Sequence, residues 1–170
     1  MSDFLPEDYE VPVGESNYMK WIEGDNKFRI LQKPIFGWEG WKDKVPHRFP
    51  MDEMPTDLVQ YKDSQVNHFW AMPVWNFTTE RVEVLEITQK GIQGAIAGYA
   101  NNEDWGSPLA YNITVNRKGT TMSDTEYSVT PSPKTDVPLE ARAAFDEMTD
   151  FEITRLFNGG DPFSSEKKTQ

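Results

Sequence analysis

Val66 to Trp75 reads VNHFWAMPVW, and beyond Asn76-Phe77-Thr78-Thr79 the chain continues from Glu80 to Thr88 as ERVEVLEIT. The first run is dense in aromatic and β-branched residues. The second places Val82 and Val84 on one side and Leu85 and Ile87 on the other. Both read as strands, because successive strand side chains point to opposite faces. The residues between them favour a turn, so the pair is expected as a β-hairpin. Trp70 and Trp75 differ in parity, which predicts one facing inward and one outward.

Upstream, Asn26 to Lys33 (NKFRILQK) alternates Phe28 and Ile30 with Lys27 and Arg29, a strand that Pro34 ends or places at a sheet edge. Residues 35–65 contain Gly37, Gly40, Pro46, Pro50 and Pro55 and read as a long irregular loop, a kind of segment that tends to carry function. Downstream, residues 89–101 set Ile92, Ala95, Ile96 and Tyr99 at helical spacing, weakened by three glycines. Ala110 to Lys118 and Thr125 to Thr130 complete the strands. The predicted order is strand, loop, strand, strand, helix, strand, strand. Five strands with a helix between the third and fourth is the layout of an OB-fold, a Greek-key barrel, so a mainly β fold is expected.

The totals bound the function. The net charge is −11, the apolar share 37% and the mean hydropathy −0.68, low values for a chain that is all compact domain. Six Trp, six Tyr and ten Phe exceed what a small core needs, which puts some rings at the surface. With no cysteine, disulfides, thiol nucleophiles and thiolate zinc sites are excluded, and two histidines are too few for a His-rich metal site. No cofactor or metal is expected. The acidic N-terminus lacks the apolar stretch of a signal peptide, and no run is long enough to span a membrane, so a soluble protein of the cytoplasm is expected. There is no phosphate-cradling glycine loop, no nucleophile elbow and no recognisable carboxylate pair. Asp52-Glu53 and Glu103-Asp104 read as solvated loop acids. The sequence does not read as an enzyme.

The informative pattern is aromatic residues interleaved with cations. Single-stranded nucleic acid offers phosphates to Lys and Arg and unstacked bases to flat rings. From Asn17 to Phe49 there are seven Lys/Arg against four acids, whereas from Asp136 onward there are four against eight. The predicted binding residues are Lys20, Arg29, Lys33, Trp38, Trp41, Lys42, Lys44 and Arg48 in the front stretch. Trp70 and Trp75 join them on the aromatic strand, and Arg117, Lys118 and Tyr127 form a basic rim. Gly37 to Lys44 (GWEGWKDK) is the sharpest part. Two other readings stand beside this one. The aromatic loop could dock a protein partner, which the charge favours, or its tryptophans could stack on sugars.

Further residues carry a family resemblance. Asn17-Tyr18-Met19-Lys20, Glu23 to Leu31 (EGDNKFRIL) and Lys33 to Trp38 (KPIFGW) resemble the front of phage-type single-stranded DNA-binding proteins. So do His68-Phe69-Trp70-Ala71, Leu85 to Gly91 (LEITQKG), Tyr111 to Gly119 (YNITVNRKG) and Thr125-Glu126-Tyr127. The resemblance spans about residues 17–132. It implies an OB-fold and sequence-tolerant binding of single-stranded DNA in phage replication, recombination or repair, within the cytoplasm of a bacterial host. The expected organisation is a flexible arm over residues 1–16, a nucleic-acid-binding barrel over 17–135, and an acidic helical segment with a tail over 136–170. That last segment is expected to mask the groove or to recruit replication or recombination proteins. Asp161-Pro162-Phe163 is similar to the acidic tip of bacterial relatives, although Ser164 to Gln170 follow it. The structural zinc of some phage members has no cysteine here to hold it.

Overall fold

The computed structural model describes residues 17–61 and 65–165. The expected arm over residues 1–16 and the last five residues of the expected tail lie outside the described residues. The chain is mainly β, with seven antiparallel strands in one open sheet. They are β1 (Gly24–Ile30), β2 (Ile35–Lys42), β3 (Val45–Pro50), β4 (Val66–Asn76), β5 (Arg81–Ile87), β6 (Ile113–Lys118) and β7 (Glu126–Pro131). Helix α1 (Lys90–Ala100) lies between β5 and β6, and α2 (Leu139–Asp146) follows β7. The lateral order is β3-β2-β4-β1-β6-β7, with β5 paired to β4 off that path.

β4 organises the sheet because its eleven residues hold three partners. On one edge, residues 66–71 pair with β2 and residues 74–76 with β1; on the other, residues 70–76 pair with β5. The hand-over from β1 to β2 falls at Pro73, whose carbonyl accepts from Leu31 N at 2.9 Å. Residues 17–19 lie along β5, with Val84 N donating to Asn17 O and Met19 N to Val84 O.

Residues 35–50 depart from the expected irregular loop: they form the β2–β3 hairpin, which raises the strand count from five to seven. Asp43 and Lys44 make its two-residue turn, both at positive φ (53° and 66°), where Asn-Gly would be the usual signal. The glycines that suggested a loop are needed for close approach. A Cβ at Gly40 would stand 2.7 Å from Tyr61 Cδ1, and one at Gly37 would collide with the Phe49 carbonyl oxygen. Pro46 and Pro50 sit on β3, an edge strand where a missing N–H is tolerated.

Two layers cover the sheet. On one face Phe28, Ile30, Met72, Val74, Leu85, Ile87 and Ile113 bury themselves against Ile92 and Ile96 of α1. The helix also reaches β7, where Tyr99 Oη donates to Val129 O at 3.2 Å. On the other face Phe69, Ala71, Trp75, Val82 and Val84 are covered by the chain beyond β7: Ala141 of α2, then Ile153 and Leu156 of a 3-10 turn at Ile153–Asn158, then Phe163. The acidic helical segment expected over residues 136–170 thus supplies one of the two layers of the core, with α2 followed by a 3-10 turn. No helix among the described residues is long and apolar enough to cross a membrane.

Candidate functional site

The strand registers give β2, β3 and β4 two faces of opposite character. Trp38 lies opposite both Phe49 and His68, and Phe36 lies opposite Trp70. Residues two apart share a face, so Phe36, Trp38, His47, Phe49, His68 and Trp70 form one ring-bearing surface. Phe36 meets Trp70 edge-on at 5.5 Å between centroids, and Trp38 meets His68 at 5.3 Å. Tyr61, arriving from the loop after β3, packs over Gly40 and edge-on to Phe49 (6.0 Å) and His47 (6.3 Å).

These rings are held while remaining partly accessible. Trp38 Nε1 donates to Met51 O at 3.0 Å, and His68 Nδ1 lies 2.8 Å from Gly37 O. A carbonyl only accepts, so that nitrogen carries the proton. Phe36 is 44% exposed, and Trp38, Phe49, His68 and Trp70 are half-buried. No strand position on this face of β2, β3 or the 66–72 part of β4 carries a carboxylate. The cations beside it are Lys33, which lines a cavity of about 300 Å³ with Phe36 and Trp70, and Lys42 and Lys44 at the hairpin tip. Lys42 Nζ reaches Gln60 Oε1 at 3.5 Å.

The reverse face holds its charges in a closed network. Arg48 Nε lies 3.1 Å from Glu39 Oε2, and its Nη2 lies 2.7 Å from Glu86 Oε2. Trp41 Nε1 donates to the other oxygen of Glu39 at 3.1 Å. Burial pushes the Glu86 carboxyl up to about 8; its hydrogen bond to Glu39 and that residue's charge add to the rise, and Arg48 opposes it. With one proton on the carboxyl pair, the three groups sum to zero charge, the cheapest state for a desolvated cluster. Burial also raises the nearby Tyr18 phenol, against the pull of Arg48.

The structure therefore divides the predicted binding residues. Lys33, Trp38, Lys42, Lys44 and Trp70 come together on or beside the ring face. Trp41, 43% exposed, sits on the reverse face of the same hairpin, because it lies an odd number of positions, three, beyond Trp38. Arg48 is spent in the ion-pair network. Trp75 is buried against the C-terminal layer. Arg29 is 2% exposed and donates to Leu109 O, Asn112 Oδ1 and Thr135 O, fastening β1 to the chain flanking β6 and β7. Its burial lowers its pKa, with Asp136 opposing. Arg117, Lys118, Tyr127 and Lys20 lie toward the other end of the sheet. There Tyr127 packs on Trp21 at 6.3 Å, and Arg117 Nη1 donates to Trp21 O at 2.9 Å.

Phe36, His47, Phe49, Tyr61 and His68 complete the ring face without being among the predicted binding residues. Their signal was the i, i+2 spacing of His68 with Trp70, open on a strand already legible, and of Phe36 with Trp38, hidden by the loop-like composition of residues 35–50. The surface can stack planar groups and, at its margins, attract anions. Among the described residues no group of three or more His, Asp or Glu is placed to hold a metal ion. Compared with known protein families, curated proteins and solved structures, the chain matches none.

Proposed function

We propose that this protein binds single-stranded DNA without strong sequence preference, using the ring face of β2, β3 and β4. The observation that carries this reading is the row of oriented, partly exposed rings on a surface whose strand positions lack carboxylates. Stacking contributes about 1–3 kcal/mol per base and every base has a flat face to offer. Lys33, Lys42 and Lys44 supply phosphate contacts at both ends of the row. A net charge of −11 is compatible with this because no strand position of the ring face carries an acid, the nearest being Asp43 at the hairpin tip and Glu53 beside His47 and Phe49.

An OB-type barrel accommodates the topology. With the β2–β3 hairpin taken as an insertion, β1, β4, β5, β6 and β7 are five strands with α1 between the third and fourth, and β1 pairs with both β4 and β6. In this reading α1 lies across the gap between β5 and β7. The role that follows is protection of exposed strands during phage replication, recombination or repair in a bacterial cytoplasm, with protein partners of those processes as further ligands.

A titration of intrinsic tryptophan fluorescence with oligo-dT, at low and moderate salt, tests the proposal. Saturable quenching that weakens with salt is expected. Absence of quenching at low salt overturns it and leaves the ring face as a protein-docking surface.

A further inference from the structure

We infer that the groove beside Phe36 and Trp70 takes a single base out of the bound strand, holding it by shape while Lys33 holds its phosphate. This rests on the single-strand reading and adds a subsite to it. The groove lies where β1 hands over to β2, between Trp70 and Phe36 on one side and Ile96, Ala97 and Ala100 of α1 on the other, with Leu109 at its end. Its volume of about 300 Å³ is at the small end for ligand pockets, which suits one base rather than a stack. Phe36 and Trp70 already stand edge to face, so the exposed ring of Phe36 continues the row of rings into the groove.

The lining decides what is recognised. Lys33 is its one charged side chain. The Ser107 hydroxyl is already accepting from Leu109 N at 3.2 Å. That leaves the Ser107 O–H as the one hydroxyl able to meet a base edge in an otherwise mostly apolar lining, so the groove selects chiefly a flat apolar shape with an anion beside it. An extended peptide is disfavoured by the same geometry. At Trp70 both edges of β4 are taken, by β2 and by β5, so no strand can add there.

Ala100 lies on the exposed last turn of α1, so Ala100→Phe fills the groove without entering the core. The test compares this variant with the parent by anisotropy of a short labelled oligo-dT and of the same oligomer made of abasic sugars. The parent is expected to bind oligo-dT well above the abasic strand. Ala100→Phe is expected to weaken oligo-dT binding by roughly 5- to 100-fold, the loss of one stacked base, and to leave abasic binding unchanged. Lys33→Gln, on an exposed loop, is expected to reduce the slope of log affinity against log salt by about 0.7, one phosphate contact on a single strand. Undiminished oligo-dT binding by a folded Ala100→Phe overturns the groove while leaving the ring face intact. If that variant unfolds, an unchanged salt slope in Lys33→Gln overturns it instead. Failure of the parent to bind oligo-dT removes both proposals together.

Discussion

The ring face and its reverse are made from alternate residues of the same three strands, yet they share almost no properties. On one side Phe36, Trp38 and Phe49 remain partly open to solvent, with lysines at the margins. On the other, Gly37 and Phe69 lie under Phe157, and Glu39, Arg48 and Glu86 neutralise one another. Residue type does not decide availability here: Arg48 on one parity is locked in an ion-pair network, and Phe36 on the other stays open to solvent. What the C-terminal layer covers is lost to ligands and gained for stability.

Substitutions on the two faces should accordingly fail in different ways. The largest effect is expected from Trp75→Ala, which empties the layer under α2 and should cost about 3–5 kcal/mol in urea unfolding, with unchanged oligo-dT affinity for the folded fraction. Deleting residues 138–170 should act in the same direction and expose Phe69, Ala71 and Trp75, so it weakens the protein rather than unmasking its site. Next, Gly37→Ala forces a methyl against the Phe49 carbonyl and is expected to destabilise by about 1–3 kcal/mol, read as a lowered thermal midpoint. Trp38→Ala reverses the pattern, costing about 1–3 kcal/mol of oligo-dT affinity with a smaller midpoint change than Trp75→Ala. Equal affinity losses for Trp38→Ala and Trp75→Ala would erase the distinction between faces.

The reverse face also carries a pH dependence. Glu86 holds its proton up to about pH 8 when folded, whereas the unfolded chain releases it near 4.5. Between those values the folded state binds more protons, so stability falls as pH rises and levels off above 8. A thermal midpoint that falls across that window is expected. Glu86→Gln, which keeps an uncharged hydrogen-bonding group, should flatten it. A parent whose midpoint rises from pH 5 to 8 would break the account of the reverse face.

Much of the scaffold was legible because it obeys simple periods. The β4–β5 hairpin, α1 and the last two strands follow from period-two and helical spacing near the observed bounds. The β2–β3 hairpin was not, since its glycines answer to Tyr61 and Phe157, neighbours remote along the chain, and its turn uses Asp-Lys. The membership of the ring face was only partly legible. Aromatic–cation interleaving picked out Trp38 and Trp70, but parity within an unseen strand decides that Trp41 faces away. The fates of Arg29 and Arg48 were beyond reach for a different reason: their partners, Leu109, Thr135 and Glu86, lie far along the sequence.

The prolines of β3 have one more consequence. Under the proposed single-strand binding, copies lined up along a polymer are held at high local concentration, where a bare sheet edge invites polymerisation. β3 is such an edge, and Pro46 and Pro50 deprive it of a donor at two of its six positions. The hairpin can therefore crowd against its neighbours without zipping to them, and repeated occupancy of a strand need not end in a fibre.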